Sequence, residues 1–192
     1  MKVGVLALQG AVIEHINHLE KLQCETVEIR KVEDLKGLDG IIIPGGESTT
    51  MSKLLKETAI MVPLRDKIRN GLPVWGTCAG MIILAKENEN HPIDGLKVMD
   101  IKVRRNAYGS QKDSFEEIVK IDQISKNPLP LVFIRAPYII EYNHNVEILY
   151  KKDGKAVLAK QDNILATSFH PELTDSLEFH RYFLSMCCGL TN

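Results

Sequence analysis

Gly40-Ile41-Ile42-Ile43 runs straight into Pro44-Gly45-Gly46. Three consecutive β-branched residues have no polar face, so a strand made of them is buried on both sides. The proline and glycines then end it in a turn. A strand buried on both faces needs helices above and below, which points to a mostly parallel sheet covered on both sides. The rest of the first half fits that frame. Residues 2–8, 26–30 and 73–76 read as further strands. Val12, Ile13, Ile16, Leu19 and Leu22 recur at helical spacing, with Glu14, Asn17, Glu20 and Lys21 largely on the other face. Ser48 or Thr49 is placed to cap a helix through Leu54 and Leu55. Residues 61–70 form another helix, stopped by Gly71, and residues 79–85 a further one.

Beyond about residue 95 the texture changes. Short alternating runs fall at 97–104, 115–121, 132–134, 139–141, 146–151, 156–160 and 164–169. The turns between them carry Asn127-Pro128, Asn143-His144-Asn145, Asp153-Gly154 and Asp162-Asn163. These predict antiparallel strands and hairpins. A last helix is expected over 176–186, with Asp175 as N-cap and Glu178 completing a capping box. No linker, repeat or low-complexity segment interrupts the chain. The expectation is therefore one α/β domain over residues 1–192, with a mostly parallel central sheet, helices on both faces, and antiparallel strands in the second half.

Charge narrows the partners. The 192 residues hold 24 Lys and Arg against 25 Asp and Glu, a net charge of -1. Nothing there favours nucleic acid or an anionic membrane. No apolar run reaches the roughly 18 residues that span a bilayer. The apolar start, Val3 to Leu8, is short and leads directly into a helical pattern without a small-residue cleavage site, so it reads as a strand of a cytoplasmic protein. Cys24, Cys78, Cys187 and Cys188 have neither zinc spacing nor a disulfide framework. Free thiols, mostly buried, are the default, and no cluster predicts a metal.

Gly76-Thr77-Cys78-Ala79-Gly80 lies between a predicted strand and a predicted helix. This is the setting of a nucleophile elbow with cysteine in the serine position. Small flanking residues relieve the crowding of such a turn, and the helix N-terminus favours the thiolate. The Ala79 N–H is placed to donate into an oxyanion hole. A buried cysteine in a tight turn has the same spacing, so the elbow alone leaves both readings open.

An amide-cleaving thiol needs a proton shuttle, and histidine has the right pKa. Of the six, His15 and His18 lie on the first helix, His91 in a loop rich in Asn and Glu, His144 in a turn, and His180 within the last helix, where it is expected at the surface. His170 follows an apolar strand, where open α/β sheets gather their ligands. Pro171 biases it toward extended backbone, in which residues i and i+2 point the same way. Glu172 is thus expected beside His170.

With these residues in hand, the chain resembles the class I glutamine amidotransferases, and among them the glutaminase subunits of pyridoxal 5'-phosphate synthase. The resemblance rests on six segments in order. They are Gly4-Val5-Leu6-Ala7-Leu8-Gln9-Gly10 with Glu14-His15, Pro44-Gly45-Gly46-Glu47-Ser48-Thr49-Thr50, Gly76-Thr77-Cys78-Ala79-Gly80-Met81, Arg105-Asn106-Ala107-Tyr108-Gly109 with Gln111, Phe133-Ile134-Arg135-Ala136-Pro137, and Ser168-Phe169-His170-Pro171-Glu172-Leu173. Residues 87–94 are not among the matched segments.

The resemblance implies hydrolysis of L-glutamine, with the ammonia passed to a separate synthase subunit that makes pyridoxal 5'-phosphate. It implies Cys78 as nucleophile, His170 as acid and base, and Glu172 as the group holding His170. It implies an oxyanion hole from the Gly46 and Ala79 N–H groups. It implies glutamine binding by Gly46, Glu47, Ser48, Arg105, Ile134 and Arg135, and a partner interface at Leu8-Gln9-Gly10 and the helix after it. It implies no cofactor and no metal. Two other readings share the scaffold: a glutaminase subunit serving another synthase, against which Arg105-Asn106-Ala107-Tyr108-Gly109 argues, and a noncatalytic regulatory protein, against which the intact Cys, His and Glu set argues.

Overall fold

Five parallel strands form one half of a ten-stranded sheet. They are β1 (Lys2–Leu6), β2 (Glu25–Ile29), β3 (Gly40–Ile43), β4 (Val74–Thr77) and β12 (Ile164–Thr167), in the order β2-β1-β3-β4-β12, with β2 at the edge of the sheet. The computed structural model describes residues 1–89, 92–105 and 114–190. The sheet continues past β12 through β11 (Lys155–Gln161), β9 (Tyr138–Tyr142), β6 (Met99–Arg104) and β5 (Ala85–Asn88), and β10 (Glu147–Lys152) pairs with β11. A separate hairpin joins β7 (Ser114–Val119) to β8 (Leu129–Ile134). The expected α/β frame, parallel first and antiparallel later, is what forms.

The apolar runs are explained by the two cores they feed. Successive side chains of a strand point to opposite faces. Ile41 and Ile43 of β3 pack into one core, with α2 (Ser48–Glu57), α3 (Met61–Arg69) and α4 (Ala79–Leu84). Ile42 between them packs into the other, with α1 (Val12–Lys21) and α5 (Glu178–Cys187). Val74 and Trp75 of β4 divide in the same way. A polar residue at any of these positions would meet hydrocarbon on either side. Met51, Met61 and Met81 are core residues, as expected.

Local signals depart from expectation in several places. Strand β12 was read with the antiparallel group. It does pair antiparallel with β11, but its other edge joins β4 in parallel register. Glu47, rather than Ser48 or Thr49, caps α2, accepting the Thr49 and Thr50 N–H groups at 3.0 and 2.6 Å. Its longer side chain curls back to satisfy two orphan donors of the helix. The last helix starts at Glu178 after Leu177, with no side-chain cap, so the Asp175 capping box does not form. Instead, Ser176 N–H donates to Thr174 Oγ1 at 3.2 Å, which turns the chain before the helix begins. Helix α4 ends at Leu84 and passes directly into β5, a strand the sequence did not suggest. His180 is fully buried instead of surface-lying, and His15 and His18 are buried beside it. Cys188 is exposed and Cys187 half-buried, while Cys24 and Cys78 are buried. Among the described residues no helix is long and apolar enough to cross a membrane.

Candidate active site

Three neighbouring parallel strands deliver the site. In the register of β3, β4 and β12, Ile43 lies opposite Gly76 and Thr77 opposite Thr167. The chain segments that leave their carboxyl ends therefore emerge side by side: Pro44-Gly45-Gly46 after β3, Cys78 after β4, and Ser168-Phe169-His170 after β12. Ligand sites of open α/β sheets form at such ends. Two backbone bonds fix the two reactive residues. Cys78 N–H donates to Thr167 O at 2.8 Å, and His170 N–H donates to Val132 O at 2.7 Å.

Cys78 has φ 48° and ψ -102°, a left-handed conformation costly for a residue with a Cβ. The turn closes because neighbouring residues lack side chains. A Cβ on Gly80 would run into the Ile43 carbonyl, and one on Gly45 would run into the His170 ring. The elbow expected from the glycine spacing is thus formed. The thiol is almost wholly buried and lies 3.9 Å from Ile134 O. Arg135, next along the chain, also has a positive φ of 44°.

His170 Nδ1–H donates to Glu172 Oε1 at 2.7 Å, which leaves Nε2 for the thiol. Burial pushes His170 down, but hydrogen bonding to Cys78 and then to Glu172 outweighs it and raises the pKa to about 10. The route to this pair differs from the extended strand expected. Pro171–Leu173 is a 3-10 turn, with Leu173 N–H returning to His170 O at 3.2 Å. Proline suits the first position of such a turn, since its missing N–H has no partner there. Glu172 reaches the ring by the turn of the chain and not by strand alternation.

A cleft of about 280 Å³ opens over the thiol, lined by Gly46, Glu47, Ser48, Cys78, Ala79, Ile82, Arg105, Ile134, Arg135 and His170. Every site residue expected from sequence lines it except Glu172, which stands behind His170. Its size is near the lower end for ligand pockets, about 300 Å³ upward, and suits a small molecule. Arg105 Nη2 lies 3.3 Å from Glu47 Oε1. Burial raises the Glu47 pKa, but the Thr49 and Thr50 donors prevail and bring it to about 2. The cleft therefore offers one fixed anion beside the Arg105 cation, with Arg135 as a second cation on its lining. Ser48 is buried, and its Oγ has no partner among the described residues. Asn106, Ala107, Tyr108, Gly109, Gln111 and His91 lie outside the described residues.

Residues 5–189 match the SNO glutamine amidotransferase family. The chain belongs to that family. The chain is 59% identical over 187 residues to the pyridoxal 5'-phosphate synthase subunit PdxT of Clostridium kluyveri, covering 97% of this chain and 100% of the relative. The PdxT subunit of Clostridium acetobutylicum is 55% identical over 186 residues, 97% of this chain and all of that one. A crystal structure of a glutamine amidotransferase superposes with a TM-score of 0.92 at 45% identity, covering 97% and 98% of the two chains.

For this SNO-family chain, the sequence left out several residues that shape the site. Ile82 lines the cleft one helical turn after Cys78, a position that the i, i+4 period of α4 makes readable. Gln9 donates from Nε2 to Glu47 O at 3.2 Å, steadying the turn after β3. Thr77, His15 and His18 carried no local signal, because their neighbours come from distant parts of the chain.

Proposed function

We propose that this chain hydrolyses L-glutamine to L-glutamate and ammonia, as the cytoplasmic glutaminase subunit of a pyridoxal 5'-phosphate synthase, from one domain spanning residues 1–192. The observation that carries the reading is the meeting of Cys78, His170 and Glu172 at one end of adjacent strands, in a chain so similar to PdxT subunits. The Cys78 thiolate attacks the side-chain amide carbon of glutamine. The carbonyl oxygen gains the negative charge and is held by the Gly46 and Ala79 N–H groups. The first N–H groups of a helix have no intrahelical partner, so Ala79 has one to give. As the tetrahedral adduct collapses, the C–N bond breaks and His170 gives its proton to the departing ammonia. A γ-glutamyl thioester remains. His170, now neutral, takes a proton from water, the hydroxide adds to the thioester, and glutamate leaves as the thiolate is restored. Glu172 keeps His170 aimed and favours its charged form.

Selectivity for glutamine follows from its other end. Arg105, with Arg135, offers a forked donor to the α-carboxylate, and Glu47 offers charge to the α-ammonium. Ser48 Oγ supplies a hydrogen bond, and Ile134 and Ile82 pack the methylene chain. Ammonia released into neutral water becomes ammonium, a poor nucleophile, so its use requires a docked synthase subunit. We infer docking over Leu8-Gln9-Gly10 and α1, where Ile13 is 57% exposed and the helix rests on the turn that carries Glu172.

The test is glutamate release from glutamine by the purified chain, alone and with a pyridoxal 5'-phosphate synthase subunit. Release stimulated by that subunit and abolished in Cys78→Ala is expected. Full release by Cys78→Ala would sink the reading.

A further inference from the structure

Behind Glu172 lies a group of side chains for which hydrolysis as written has no use. His15 and His18 face inward from α1 and His180 inward from α5, all buried. His15 and His180 pack against Trp75, whose ring stands edge-on to His15 at 5.5 Å and to His180 at 4.9 Å. His15 Nδ1 is 2.9 Å from His180 Nε2. His15 Nε2 faces Thr77 Oγ1 at 3.3 Å and Glu172 Oε2 at 3.5 Å. Among the described residues, no group of three or more His, Cys, Asp or Glu is arranged to hold a metal ion.

Proton placement in this group is decidable. Burial, then the charges of His180, His18 and His170, hold the His15 pKa well below 6.5, and burial, then His18, brings that of His180 to about 3. Both rings are therefore neutral, each with one N–H. Two arrangements satisfy the His15–His180 contact. If His15 carries its proton on Nδ1, its bare Nε2 faces a carboxylate oxygen, and His180 is left with an N–H at Nδ1. That nitrogen is buried without a partner among the described residues, and an orphaned donor costs its desolvation. If instead His180 donates from Nε2–H to His15 Nδ1, then His15 Nε2–H points to Glu172 Oε2 and Thr77 Oγ1. Only a lone pair of His180 is then unmatched. Glu172 Oε2 is buried with no hydrogen-bond partner among the described residues, and His15 Nε2, facing it at 3.5 Å, can turn a donor toward it only in the second arrangement.

We propose that His15 is a positioning residue of the glutaminase site, donating from Nε2–H to the outer oxygen of Glu172 in a tautomer set by His180. Glu172 is thereby held at both oxygens, by His170 on one side and His15 on the other. Its carboxylate plane is fixed, and with it the aim of the His170 ring at Cys78. His18 anchors the group, with Nδ1 2.9 Å from Glu14 O and Nε2 2.9 Å from Thr174 O, and its ring stacked 4.6 Å from His180. It ties α1 to the segment just after Glu172. This role rests on the glutaminase reading and adds to it a set of groups that never touch substrate.

The experiment has two arms. In ¹⁵N-histidine spectra of the wild-type folded chain, His15 is expected neutral, with Nδ1 bare and Nε2 protonated. A proton on Nδ1 overturns the proposal whatever the activity, and this arm needs no variant to fold. In the kinetic arm, with the synthase subunit present, His15→Phe fills the ring space without a donor. It is expected to lower kcat about tenfold or more while KM for glutamine stays within about twofold. Gln places an amide N–H the same number of bonds from Cα as imidazole Nε2, so His15→Gln is expected to restore most of that kcat. A packing role predicts the reverse order. Wild-type kcat in His15→Phe, or equal losses in the Phe and Gln variants, would overturn the proposal. Absence of glutaminase activity in the wild type would instead remove the function reading, leaving the spectra to decide the tautomer.

Discussion

His170 sits between two groups that favour its charged form, and this sets the pH behaviour of the site. Burial works against the charge, yet the Cys78 and Glu172 side chains hold the pKa near about 10. That is above the roughly 6.5 of an unfolded histidine. The pairing therefore stabilises the fold fully below about 6.5, and the gain fades as pH climbs through about 10. In an NMR titration, His170 is expected to keep both ring protons at pH 8 and to lose one near 10. Glu172→Gln and Cys78→Ala should each lower that midpoint. A wild-type midpoint close to the free-histidine value would contradict the pairing. The Glu172 partnership was legible in sequence because two residues on one short segment cannot be far apart, although the chain arrives by a 3-10 turn. The burial of His180 was misread, but a signal existed: it falls three residues before Phe183 on the buried face of α5.

Strands β3, β4 and β12 set the spacing of the site, and the elbow holds only while α4 packs directly on the end of β3. Gly80 is the contact point, since a methyl group there meets the Ile43 backbone, which no rotamer change can move aside. Gly80→Ala is expected to destabilise by about 1–3 kcal/mol in denaturant unfolding and to lower turnover as well, because Cys78 lies two residues away. Unchanged stability with full turnover would show that the elbow is looser than this geometry requires. At this scale, legibility followed burial. The doubly buried strands β1, β3 and β4 showed themselves as unbroken apolar runs, whereas β5, whose Lys86 and Glu87 are exposed, carries no alternation to mark it. Helix starts were hardest to read. Several polar side chains compete for each cap, and Glu47 won by reaching two N–H groups at once.

As a whole the molecule separates its thiols by environment. Burial raises the pKa of Cys24, and it is the chief cause that pushes Cys187 up to about 12. Neither has a histidine among the groups acting on it. Among the four, Cys78 alone lines the cleft, beside a charged histidine. The sheet order that brings β4 and β12 together does this, and no local stretch of sequence could have revealed it, because Trp75 and Thr167, joined by a hydrogen bond, lie 92 positions apart in the chain. The most direct test of the central claim is mass spectrometry of all four cysteines after treatment with a diazoketone or chloroketone analogue of glutamine, with the synthase subunit present. Stoichiometric alkylation of Cys78, suppressed by glutamine, with Cys24, Cys187 and Cys188 spared, is the predicted result. Labelling spread evenly over the four thiols, or unaffected by glutamine, would contradict it.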